Sequence, residues 1–156
     1  MNRSYLALAF LLALGPAAAA PPDPAIAQAR QAAAAAGVEI TDLKVGKGPA
    51  IHAGQTATVH YTGWLYDPAA KDGHGKEFDS SLKRGEPFSF TLGEHHVIPG
   101  WELGVAGMQK GGSRSLKIPP DLAYGARGAG GGLIPPHATL VFEVKLLSFA
   151  DSPATP

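Results

Sequence analysis

Cysteine is absent from the 156 residues. With it go disulfides, thiolate zinc sites, cysteine nucleophiles and a lipidated cysteine. An excess of charge is absent too, since 13 basic residues stand against 13 acidic ones. No global field draws the chain to nucleic acid or to a membrane surface. The apolar run Tyr5–Leu14 is too short to cross a bilayer core of about 30 Å as a helix. There is no Gly-x-Ser-x-Gly elbow for hydrolase chemistry. The glycine-rich stretch Ala126–Gly132 lacks the Lys-Ser/Thr ending of a phosphate loop. Six histidines are present, but His95 and His96 are adjacent, and His52, His60, His74 and His137 are scattered. That spacing does not make a metal set. No metal and no cofactor is expected.

What is present divides the chain into four. Met1–Ser4 carries one cation, Arg3. The apolar run follows, Gly15 and Pro16 break it, and Ala17–Ala20 are small. This is the three-part plan of a secretory signal, so residues 1–20 are expected to be removed on export, with no stable membrane insertion afterwards. Localisation is expected to be periplasmic or secreted. Residues 21–37 read as a Pro/Ala-rich linker or short helix, capped by Asp23 and ended by Gly37. Ile26 is its one large apolar residue, so little burial is expected there. A dimerisation helix is the alternative. Residues 38–149 form the domain, and 150–156 a frayed tail.

Within the domain the pattern is that of strands. Val38, Ile40, Leu43 and Val45 form a first one, closed by the turn-rich Gly46–Pro49. In Gln55–Tyr66, Ala57, Val59 and Tyr61 share one face. Asp67–Glu77 reads as a loop. Phe88, Phe90 and Leu92 alternate with Ser89 and Thr91. Ser113–Ile118 places Leu116 and Ile118 inward, and Thr139–Ser148 aligns Leu140, Phe142, Val144 and Leu146. Pro99–Met108 is the one helix expected, with Trp101, Val105 and Met108 on a common face. Lys110, Arg114 and Lys117 read as a solvated strand edge. The fold class is α+β: an antiparallel sheet whose single apolar face is covered by one short helix.

Aromatic and aliphatic residues recur in Val59–Tyr66, Phe78–Ser81, Val97–Trp101 and Ala123–Val144, with almost nothing reactive among them. Such a pocket suits a reaction in which no covalent bond breaks. The ordered motifs VHYTG, FDSS, VIPGWE, AYG and IPPHATLVFEVKLL resemble those of the FKBP-type peptidyl-prolyl isomerases, the macrolide-binding immunophilins, over roughly Val38 to Phe149. The resemblance implies a half-wrapped antiparallel sheet of five to six strands around a short helix, with the proline site between them. It implies Trp101 as the floor under the proline ring, and Tyr61, Phe88, Phe142, Val97 and Ile98 as walls. Ile98 would also offer its backbone N–H to a substrate carbonyl. Asp79 would be the buried carboxylate facing the pocket, held by Arg84 near the Tyr61 hydroxyl. Tyr124 would donate to the substrate backbone, Leu133 and Ile134 would form a flap, and Phe78 would complete the rim. The implied partners are proline-containing polypeptides and macrolide inhibitors.

Three departures from the family pattern stand out. The 67–77 loop is longer than in the smallest members. The flap holds Gly128–Gly132 where histidine and proline are frequent. His96 takes a place often held by an acid. A proline-segment binding module or chaperone with weak turnover is the competing expectation.

Overall fold

A computed structural model of the chain describes residues 23–153. The expected signal, residues 1–20, lies outside them. Eight strands and three helices follow in chain order: α1 (Pro24–Ala36), β1 (Glu39–Lys44), β2 (Lys47–Ala50), β3 (Gln55–Tyr66), β4 (His74–Ser80), α2 (Ser81–Arg84), β5 (Phe88–Thr91), α3 (Pro99–Val105), β6 (Gln109–Lys110), β7 (Ser113–Ile118) and β8 (Leu140–Asp151). The main sheet has six strands in the order β1-β7-β8-β3-β4, with β5 also paired to β3. All of its pairings are antiparallel. Strands β2 and β6 make a separate small ribbon.

Period-2 alternation puts Val59 and Tyr61, Leu116 and Ile118, and Leu140, Phe142, Val144 and Leu146 on one side of the sheet, where all are buried. Helix α3 covers that side. Its Gly100 and Gly104 face Ile118 and Leu116; an added Cβ would stand 2.3 Å and 2.6 Å from those side chains. The glycines that weaken the helix as a helix therefore let it lie close against β7. This proximity seats Trp101 in the core, 4% exposed.

Several expectations are corrected. Residues 24–36 take the helix of the two alternatives, and it is their expected lack of burial that is corrected, since the helix is docked on the domain. Asp23 caps it, its carboxylate accepting the Ala25 N–H at 2.9 Å. Gly37 closes it with φ 95°, and the Val38 N–H reaches the Ala33 carbonyl at 2.9 Å. Ala33 is fully buried. At Gly107 (φ 77°) an added Cβ would stand 3.0 Å from the Ala29 Cβ. The helix needs no large apolar residues because small ones allow this close approach.

In β1 the register shifts after Asp42, and Leu43 and Val45 point outward, 52% and 69% exposed. Of Gly46–Pro49, read as a turn, residues 47–49 belong to β2, which pairs with β6. The 67–77 loop is shorter than expected, because residues 74–77 extend β4 opposite Trp64 and Tyr66. The His74 ring stacks on Trp64 at 3.9 Å between centroids. Helix α3 stops at Val105, before Met108, and α2 is a further one-turn helix. Strand β8 runs on into the expected tail, with Asp151 opposite Gln55.

Arg114 is the largest correction. It shares parity with Leu116 and Ile118, and its side chain is 4% exposed, not solvated. Its Nε donates to Asp42 Oδ1 at 2.8 Å, and its Nη1 donates to the Gly104 and Ala106 carbonyls at 2.8 and 3.1 Å. Those carbonyls lie at the C-terminus of α3, where helix acceptors lack internal partners and a cation is favoured. Arg30 of α1 pairs with the other oxygen of Asp42. Burial, with the nearby Arg30 charge, lowers the Arg114 pKa to about 10, which leaves it charged at neutral pH.

Candidate active site

Helix α3 and the concave side of the sheet leave a cavity of about 370 Å³. It is lined by Tyr61 from β3, Phe78 and Asp79 from β4, and Phe88 from β5. Trp101 from α3 and Phe142 from β8 join them, with Tyr124 and the segment 95–98 at the mouth. Five elements and two loop segments thus bring together residues far apart in sequence.

The aromatic rings meet edge to face. Tyr61 and Trp101 lie 4.9 Å apart at 85°, Trp101 and Phe142 5.3 Å apart at 89°, and Phe78 and Phe142 5.5 Å apart at 89°. Phe88 stands 6.0 Å from Tyr61. This geometry places positive ring edges against negative faces and fixes each ring by its neighbours. Gly63 makes room for it: an added Cβ would stand 2.7 Å from both Phe78 and Phe142.

One side of the cavity is polar. The Tyr61 hydroxyl donates to Asp79 Oδ2. Arg84 pairs with Asp79 Oδ1, and its Nη2 donates to the Tyr61 hydroxyl at 3.1 Å. Burial, then the Asp79 hydrogen bond, raises the Tyr61 phenol above the ordinary tyrosine range. Burial and the Asp79 charge do the same to Tyr124. Both phenols are therefore protonated donors at neutral pH. The backbone N–H of Ile98 meets no acceptor among the described residues and faces a ligand-sized space.

Nine of the twelve residues expected at the site line this cavity; Asp79, expected to be buried, has a side chain 37% exposed. Arg84 does not, but holds Asp79 from behind, so it belongs to the same cluster. The flap pair is placed differently. Reciprocal hydrogen bonds between Ala129 and Ile134, at 2.9 and 3.0 Å, close the glycine hairpin. Ile134 turns into the core, and Leu133 is 40% exposed. Neither reaches the cavity wall. No cluster of three or more metal-ligating side chains occurs among the described residues.

Sequence reasoning missed three contributors. Phe90 packs 5.6 Å from Trp101 under the floor; its alternation with Ser89 marked it as core and nothing more. His95 lines the mouth, but it carried meaning only as half of an adjacent histidine pair. Glu102 accepts the N–H groups of Gly93 and His95 and so fixes the mouth; no pattern in the sequence pointed to it.

Residues 48–147 match the family model described as FKBP-type peptidyl-prolyl cis-trans isomerase. An FK506-binding protein of Neisseria meningitidis serogroup A is 54% identical over 108 residues, which span 69% of this chain and 92% of that protein. FK506-binding protein 1 of Dictyostelium discoideum is 54% identical over 113 residues, spanning 72% and 98%. Among solved structures, AtFKBP13 is similar with a TM-score of 0.62 at 43% identity, covering 73% of this chain and 94% of that one. FkpA from Escherichia coli is similar with a TM-score of 0.66 at 39% identity, covering 83% and 61%. The chain belongs to the FKBP-type peptidyl-prolyl cis-trans isomerases, the family expected from its motifs.

Proposed function

We propose that this isomerase acts on X-Pro bonds of exported polypeptides, in the cavity over Trp101, without forming a covalent intermediate. The observation that carries the site assignment is the aromatic enclosure with its Ile98 N–H: a cavity of about 370 Å³ walled by aromatic rings beside one donor unused among the described residues. A planar peptide bond resists rotation by about 18–20 kcal/mol because rotation breaks C–N resonance. The twisted amide has lost that resonance and is less polar than the ground state. An apolar cavity that excludes water favours it over the planar form, and such differential binding becomes rate. A millionfold acceleration requires about 8 kcal/mol.

In this reading Trp101 carries the proline ring, and Tyr61, Phe78, Phe88, Val97 and Phe142 enclose it. Ile98 N–H and the Tyr124 hydroxyl hold the flanking backbone. Asp79 presents its carboxylate to the cavity, oriented by Arg84 and the Tyr61 hydroxyl. Leu133 and Ile134 act through the hairpin they close, not as walls. Export rests on the charge, apolar run and small residues of positions 1–20.

The test is the isomerisation rate of a Leu-Pro peptide, with and without a macrolide of the FK506 type. Turnover blocked by the macrolide supports the reading. Tight macrolide binding without turnover replaces it with a proline-segment binding module.

A further inference from the structure

The mouth of the cavity carries two imidazoles that this mechanism leaves unused. His95 and His96 both line it and both are exposed. His95 has φ 56°, a left-handed conformation uncommon for residues with a Cβ. Glu102 holds it there, accepting the Gly93 N–H at 2.5 Å and the His95 N–H at 3.0 Å. Since Glu102 follows Trp101 in α3, the turn of helix that supplies the floor also fixes the rim. The rings are set at the mouth by a constrained backbone, not carried on a loose loop.

The charges around them are mostly engaged. Glu94 Oε2 lies 3.4 Å from His96 Nδ1. Glu102 is taken up by two backbone N–H groups. Across the cavity Asp79 is held by Arg84 and by the Tyr61 hydroxyl, and the Tyr61 and Tyr124 phenols are neutral. His95 has no acidic partner among the described residues.

We propose that His95, assisted by His96, gives the site a preference for Asp or Glu next to the substrate proline, strengthening as the imidazoles take up protons. The proposal rests on the isomerase reading above. The sign follows from the charges. A substrate carboxylate stays ionised above about pH 4.3, while imidazoles change charge between about pH 5 and 8. Between these limits a cationic rim meets an anionic substrate. At higher pH the rim is neutral and the preference is lost.

The test compares peptides with Glu or Gln before the proline, and with Glu or Gln after it, at about pH 5.5 and about pH 8. On at least one flank the Glu/Gln ratio of kcat/KM should be about threefold larger at the lower pH and shrink with added salt. The ratio cancels any loss common to both peptides. In the double variant His95→Asn, His96→Gln the ratio should be flat with pH; Asn is chosen because it tolerates the left-handed backbone. A flat ratio on both flanks of the unaltered protein overturns the proposal. So does a ratio that still rises in the double variant, which would assign the effect to a titrating group other than these two imidazoles. Absence of turnover with every peptide is instead a failure of the isomerase reading. The same ratio, taken from binding affinities by fluorescence anisotropy, then decides the charge preference.

Discussion

Two arginine–aspartate pairs, one at the cavity and one at the C-terminal end of α3, are used in opposite ways. Arg84 and Asp79 lie at the polar side of the cavity with side chains 48% and 37% exposed. Arg114 and Asp42 lie at the end of the helix, the guanidinium 4% exposed. The first pair is bathed in water, so its mutual attraction is screened and it adds little to stability. What it provides is orientation, holding one carboxylate and one phenol toward a ligand. The second pair is shut away, and its worth lies in not being broken. Removing one partner of a buried pair strands the other charge. At the end of the helix the charges hold the scaffold, and at the cavity they orient the groups that line it.

The largest effect expected from this contrast is on stability. Asp42→Ala leaves Arg114 buried without its carboxylate and beside Arg30, and should cost about 3 kcal/mol in urea unfolding. Adding Arg114→Met should restore much of that loss, because the stranded charge is removed. A double variant no more stable than the single one would contradict the account.

Next comes the seat of the helix. Gly100→Ala places a Cβ 2.3 Å from Ile118, and that overpacking should cost about 2 kcal/mol. It should also shift Trp101 fluorescence and lower turnover together, since floor and helix move as one. Stability lost with turnover unchanged would separate the two.

At the cavity the order of effects reverses. Asp79→Leu should lower kcat/KM about tenfold, or about 1.4 kcal/mol in the barrier, while the unfolding midpoint barely moves. A large fall in the midpoint would mean that this pair also carries the scaffold.

The smallest effect concerns Tyr61. Its folded phenol is raised above the ordinary range by burial and by Asp79. The unfolded phenol therefore deprotonates first as pH rises past about 10, and stability declines with pH above that point. Tyr61→Phe should flatten this alkaline decline, read as the pH dependence of urea unfolding. An unchanged slope would place the phenol's titration outside the folding equilibrium.

Much of this was legible in the chain. Alternation in Gln55–Tyr66 and in the last strand gave the concave face, because a strand that buries one side must place apolar residues at every second position. The family resemblance marked nine of the eleven residues that line the cavity. The flap pair was misplaced because two backbone hydrogen bonds across a glycine hairpin decide where Leu133 and Ile134 point, and no side-chain pattern reports them.

The sequence by itself determined β1, β3, β5, β7 and β8, the family and the aromatic content of the pocket, all of which depend on residue type and short-range periodicity. Only the tertiary structure decided what depends on neighbours distant in the chain. Arg114 reads as a surface cation until Asp42 and the carbonyls of α3 are seen around it. The alanine-rich α1 reads as a linker or short helix with little to bury until Gly107 shows how close it comes. Glu102 is only the last letter of a motif until the loop at 93–95 closes on it. In each case the meaning of a side chain lay in a partner that local pattern could not name. Burial and pairing are properties of the folded chain, not of the residue.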